Sequence, residues 1–141
     1  MIIDSIRNYI RLCPYLSEFA KGVNVDYLGK EATAYSIEAV SCKPIIKEYI
    51  GGSSKRQYQF IFASREQYGA EVLQNMNNCG FYENFARWLE VETLKGNLPI
   101  LDSGKKSLKI EATSTGYAFQ TDIDKARYQI QANLTYLQGG N

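Results

Sequence analysis

From Tyr128 to Tyr136 the chain alternates without a break, with Tyr128, Ile130, Ala132, Leu134 and Tyr136 in one register and Gln129, Gln131, Asn133 and Thr135 in the other. A strict period of two predicts a long strand with one face turned to a core. The second face is polar but carries no charge beyond Arg127, and neutral amides and hydroxyls suit contact with another protein better than they suit catalysis. Gln129, Gln131 and Asn133 are therefore candidate interface residues.

The remaining pattern predicts the other elements. Ile2, Ile6, Tyr9, Ile10 and Cys13 recur at helical spacing, with Asp4, Arg7 and Arg11 off the stripe, so residues 2–12 should form an amphipathic helix that ends before Pro14. After a connection punctuated by Gly22 and Gly29 and anchored by Val23, Val25, Tyr27 and Leu28, the alternation of Tyr35, Ile37 and Ala39 with Ser36 and Glu38 predicts a strand. Segments 45–50 and 56–63 flank Gly51-Gly52-Ser53-Ser54-Lys55, which predicts a hairpin with a loop of about five residues and with Tyr58, Phe60 and Phe62 on its inner face. Lys55 and Arg56 place two positive charges beside flexible glycines, which folding alone does not require, and they join the candidate interface set.

Ser64 and Gln67 have capping-box spacing, so a helix is expected from Arg65. Asn77, Asn78 and Gly80 read as its stop, and Phe81, Phe85, Trp88 and Leu89 resume a helical stripe that ends at Lys95-Gly96. The expectation is a central helix pair or one broken helix. Leu108, Ile110 and Ala112, a turn at 114–116, Tyr117 with Phe119, and a second turn at 121–124 then predict a β-meander leading into the final strand. Together these elements predict one α+β domain over residues 1–141. Its single sheet is antiparallel or mixed, with an N-terminal helix and a central helix pair packed on one face.

Composition narrows the function classes. A chain of 141 residues buries roughly two thirds of the surface its unfolded form exposes, so one domain can build a core without staples. Hydrophobic residues at 45% and charged residues at 22% sit near the globular average, which argues against long disorder. The eleven tyrosines stand out, because an apolar ring with a polar tip is favoured at protein interfaces as well as in cores. A net charge of +1 gives no basis for nucleic acid or an acidic membrane as the main partner. Met1-Ile2-Ile3-Asp4 does not read as a signal peptide, and no apolar run approaches the roughly 20 residues of a membrane span, so the expectation is a cytoplasmic protein without a membrane partner.

The search for chemistry returns little. The sequence has no histidine, which removes Ser-His-Asp and Cys-His nucleophiles and most metal-assisted schemes. Cys13, Cys42 and Cys79 are widely spaced and read as small apolar fillers, so no metal or other cofactor is expected. Residues 102–107 depart from a phosphate loop at Pro99 and Lys106, where glycine and serine or threonine would be required, and read as a basic turn. Glu83 and Glu90 share a helical face but have nothing apolar placed to raise a pKa, and a solvated face accounts for them. The basic and aromatic strand 55–62, with Lys55, Arg56, Tyr58, Phe60 and Phe62, supports one rival, a small single-stranded nucleic-acid-binding module. Gln57 and Gln59 stand where such a strand has glycines, and alternating aromatics on a strand line a core more often than they stack bases.

Several separated signatures point in one direction. They are Val25-Asp26-Tyr27-Leu28, Tyr49-Ile50-Gly51-Gly52, Phe60-Ile61-Phe62-Ala63-Ser64-Arg65, Asn75 with Asn78-Cys79-Gly80-Phe81-Tyr82-Glu83, Trp88-Leu89-Glu90, Leu98-Pro99 and Ala126-Arg127-Tyr128-Gln129-Ile130. Taken together the chain resembles the small minor tail or minor capsid proteins of tailed phages and prophages of Gram-positive bacteria, in the tail-terminator class. The resemblance implies an antiparallel sheet flanked by helices and no catalytic residue. It also implies assembly into a ring, usually hexameric, that caps the tail tube and faces the head-tail connector protein. Its partners would be other copies of itself, the tail-tube protein and the connector, first in the host cytoplasm and then in the virion tail. A related head-tail joining protein would share the same fold.

Overall fold

The computed structural model describes residues 1–16, 23–25, 34–67, 72–121 and 125–139. Its spine is a pair of 14-residue strands, β4 (Ser54–Gln67) and β7 (Lys125–Gln138). They pair antiparallel along their whole length, from Ser54 opposite Gln138 to Gln67 opposite Lys125. Each free edge of this ribbon is filled by two shorter strands laid end to end. β2 (Ala34–Val40) and β3 (Ile45–Glu48) run antiparallel to β4, while β5 (Lys105–Ala112) and β6 (Tyr117–Thr121) run antiparallel to β7. β1 (Val23–Val25) adds to β2 in parallel, so among the described residues the chain forms one seven-stranded α+β sheet that is antiparallel except at that edge.

Among the described residues two helices, α1 (Ile2–Ile10) and α2 (Val72–Lys95), cover one face. Ile6, Tyr9 and Ile10 of α1 and Tyr82, Phe85 and Leu89 of α2 join Phe60, Phe62, Ile130 and Leu134 of the spine in one continuous core. Aromatic rings carry much of the packing: Phe85 stacks on Phe62 with centroids 4.6 Å apart, and Trp88 meets Tyr9 at 5.1 Å. The alternation expected for residues 128–136 holds, since Tyr128, Ile130, Ala132, Leu134 and Tyr136 are all buried.

Four local expectations change. The central helix is continuous through Asn77, Asn78 and Gly80 rather than a pair. A glycine inside a helix costs about 1 kcal/mol relative to alanine, a penalty that aromatic packing downstream of it outweighs. No helix starts at Arg65, because β4 continues to Gln67 against β7, and the Ser64 hydroxyl instead lies 2.6 Å from the buried Tyr82 hydroxyl. The meander is also absent. β5 and β6 run in the same direction along β7, and the step between them is bridged by Thr113 N–H donating to Gln131 O at 2.7 Å and Gln131 N–H donating to Ser114 Oγ at 2.9 Å. Finally, β5 breaks its alternation at a bulge between Ser107 and Lys109. That bulge turns Ser107 inward, where its hydroxyl donates to Pro99 O at 2.6 Å, and leaves Leu108 half-buried.

Candidate interaction surface

The outer face of β7, expected to be open, is largely occupied by the molecule's own side chains. Gln129, Asn133 and Thr135 retain only 4%, 9% and 7% exposure, and of the three candidate amides only Gln131 is exposed. Arg127 organises this face. Its Nη2 donates to Glu38 Oε1 at 2.8 Å across β4, and its Nε donates to Gln129 Oε1 at 3.0 Å. Gln129 Nε2 in turn donates to the Tyr117 hydroxyl at 2.7 Å, and the guanidinium lies 5.7 Å from the Phe119 ring centroid. Further along, Asn133 Nδ2 donates to Gln57 Oε1 at 3.4 Å, and Gln57 Nε2 donates to Lys43 O at 2.8 Å. These partners come from strands far apart in the chain, so no local pattern announces the network.

Lys55 and Arg56 are not at the hairpin tip. Both belong to β4 and are half-buried, with successive side chains on opposite faces. Arg56 stands opposite Ile45 and Tyr136, and its Nε donates to Ser54 Oγ at 3.0 Å. The pair therefore cannot reach one acidic patch together. The tip proper is residues 49–53, where Tyr49 N–H donates to Ser53 O at 2.9 Å and Gly52 N–H donates to Tyr49 O at 3.0 Å. Gly52 takes φ 93°, the left-handed conformation that closes such a turn at no steric cost. The turn leaves Ile50 fully exposed, with Ile46 and Tyr49 also exposed and the Lys47 ammonium 5.4 Å from the Tyr49 ring centroid. The pattern of residues 45–50 predicts ordinary strand positions for these apolar residues, and the one local signal of exposure is an isoleucine directly before Gly-Gly.

Several grooves indent the surface of the described residues. One of about 430 Å³ lies between α2 and β5, with Ala86, Leu94, Ile110 and Ala112 as apolar lining and Glu90 and Lys109 at its rim. A second, about 340 Å³, adjoins it at Glu83, Arg87 and Gly116. A third, also about 340 Å³, lies between α1 and the segment after α2, bounded by Asn8, Leu12, Pro99 and Ile100. Glu83 and Glu90 are exposed and make no ion pair among the described residues. Of residues 102–107, expected as a turn, only the first part is one, with Lys105 N–H donating to Asp102 O at 3.1 Å and Gly104 at φ 87°, because Lys105–Ser107 already belong to β5.

Among the described residues no group of three or more potential metal ligands comes together, and no helix is long and apolar enough to cross a membrane. Burial raises the pKa of the Tyr9 and Tyr136 hydroxyls, and it pushes the Cys13 thiol up to about 11. Each of these shifts opposes the ionised form. Phe60 and Phe62, the rings that the nucleic-acid reading would use for stacking, are fully buried in the core, whereas Tyr58 is half-buried. The chain matches no protein-family model and no curated protein.

Proposed function

We propose that this chain is a structural subunit of a phage or prophage tail, assembling into a ring that terminates the tail tube and joins it to the head connector. The observation that carries the reading is the distribution of exposed large apolar side chains: Ile50 on the β3–β4 hairpin, Leu94 on α2, Ile100 after α2 and Phe119 on β6. A single exposed apolar residue is ordinary, but apolar side chains offered from several elements suit a subunit with more than one neighbour. The signature segments distributed along the chain support the same reading. The subunit would assemble in the host cytoplasm and end in the virion tail.

A ring of identical subunits uses head-to-tail contacts that close by rotation. Light scattering over a concentration series, with and without the tube protein of the same gene cluster, is the test. Multimers that appear or grow on tube ends are expected, and a monomer under every condition would sink the reading. Neighbouring tail-tube and tape-measure genes would support it independently. A head-tail joining role shares the architecture and would show itself as binding to the connector without capping of tubes. The nucleic-acid alternative is the weaker one, because two of its three stacking rings are spent in the core.

A further inference from the structure

The β3–β4 hairpin is ordered by its own backbone hydrogen bonds, so the full exposure of Ile50 is built into the turn. Beside this apolar tip, Lys47 and Lys55 stand opposite each other on β3 and β4 against a single carboxylate, Glu48, and Lys55 makes no ion pair among the described residues. The tip is therefore an apolar knob with a basic collar.

The same chain offers a matching recess at the other edge of its sheet. β3 lies beyond β4, whereas β5 and the groove it makes with α2 lie beyond β7. The groove has an apolar floor of Ala86, Ile110 and Ala112 and a wall at Leu94, which is 82% exposed. Glu90 lines this groove beside the ion pair of Lys109 with Glu111, and Glu83 lies with Arg87 in the adjoining one, both glutamates being unpaired among the described residues. The groove between α1 and Ile100 has no carboxylate in its lining and would not answer the lysines.

We propose that the β3–β4 hairpin of one copy docks in the α2–β5 groove of a second copy, with Ile50 against Leu94 and the collar lysines facing Glu90. Burial of the tip supplies the attraction, and the facing charges fix the orientation and speed the encounter. Knob and groove sit at opposite edges of one sheet, so after pairing one copy keeps a free groove and the other a free knob, and the contact is head-to-tail. The inference rests on the self-assembly reading above and names the surfaces it would use.

The test places a photo-crosslinking amino acid at position 50 of the full chain, with and without tube protein, and maps the products by mass spectrometry. Cross-links between copies at residues 90–94 or 109–112 are expected. Ile50→Asp and Glu90→Lys should each weaken association at least tenfold, with an unchanged melting temperature because both positions are exposed. Multimers that persist in both variants, or cross-links to other surfaces, would overturn the pairing and leave the assembly reading standing. A wild type without multimers under any condition would overturn both. Binding of the wild type to phosphatidylglycerol vesicles through Ile50, with no multimer formed, would also overturn it and assign the tip to lipid.

Discussion

Tyr82 shows how much one side chain can fix. It is buried, its hydroxyl donates to Tyr128 O at 3.0 Å and meets Ser64 Oγ, and its ring stacks on Tyr128, so it ties α2 to both spine strands. The loop between β5 and β6 runs so close over it that a Cβ at Gly116 would land on Tyr82 Cβ and Cγ. Gly116→Ala should therefore destabilise the protein by about 1–3 kcal/mol, the usual cost of overpacking, read as a lower urea midpoint at unchanged slope. The opposite outcome is expected at Ser36, whose hydroxyl is buried with no hydrogen-bond partner among the described residues. Ser36→Ala removes an unsatisfied group and should leave the midpoint unchanged or raise it.

At the scale of elements, α2 and the hairpin make separate predictions. Among the described residues a Cβ at Gly80 meets nothing within 4 Å, so Gly80→Ala should stabilise the continuous helix by about 0.5–1 kcal/mol. A fall in stability would instead indicate that the helix needs its glycine to bend. Trp88 is half-buried but packs on Tyr9 and Phe85, which joins the two helices, and Trp88→Ala should cost about 3 kcal/mol, the lower end for a large aromatic. On the hairpin the two cations separate. Lys55→Glu should shift stability by no more than about 0.5 kcal/mol, whereas Arg56→Glu loses the bond to Ser54 and sets a carboxylate near Tyr136, and should cost about 1 kcal/mol or more. Equal effects in thermal unfolding would show that both side chains are simply solvated.

For the whole molecule, the titrating groups of the core set an alkaline limit. Cys13 is raised by burial from 9.0 to about 11, and Tyr9 and Tyr136 are raised by burial as well. The sign follows from linkage: above pH 9 the unfolded chain loses its thiol proton first, which favours unfolding. The Cys13 contribution is complete below that pH and is lost as the pH rises through about 11. Urea midpoints should accordingly fall between about pH 8 and about pH 10.5, and Cys13→Ala should flatten part of that fall. A midpoint independent of pH over this range would show these groups to be solvated in the native state.

Local pattern alone settles the class of the fold, because strict alternation at 128–136 and a helical stripe at 2–13 each have one structural solution. It also locates the helical aromatics Phe81, Phe85 and Trp88 and a hairpin turn, expected at 51–55 and found at 49–53. Tertiary structure decided what local patterns cannot carry. Full-length pairing with β7 overrode the capping signal at Ser64 and Gln67, since a strand paired on both sides outweighs one cap. The same long-range register set β5 and β6 end to end and buried Gln129 and Asn133 beneath partners from distant strands, so the amides read as an open face became interior polar ties. The exposed surface passed instead to Ile50 and Leu94, because only the assembled sheet determines which apolar side chains are left without a neighbour.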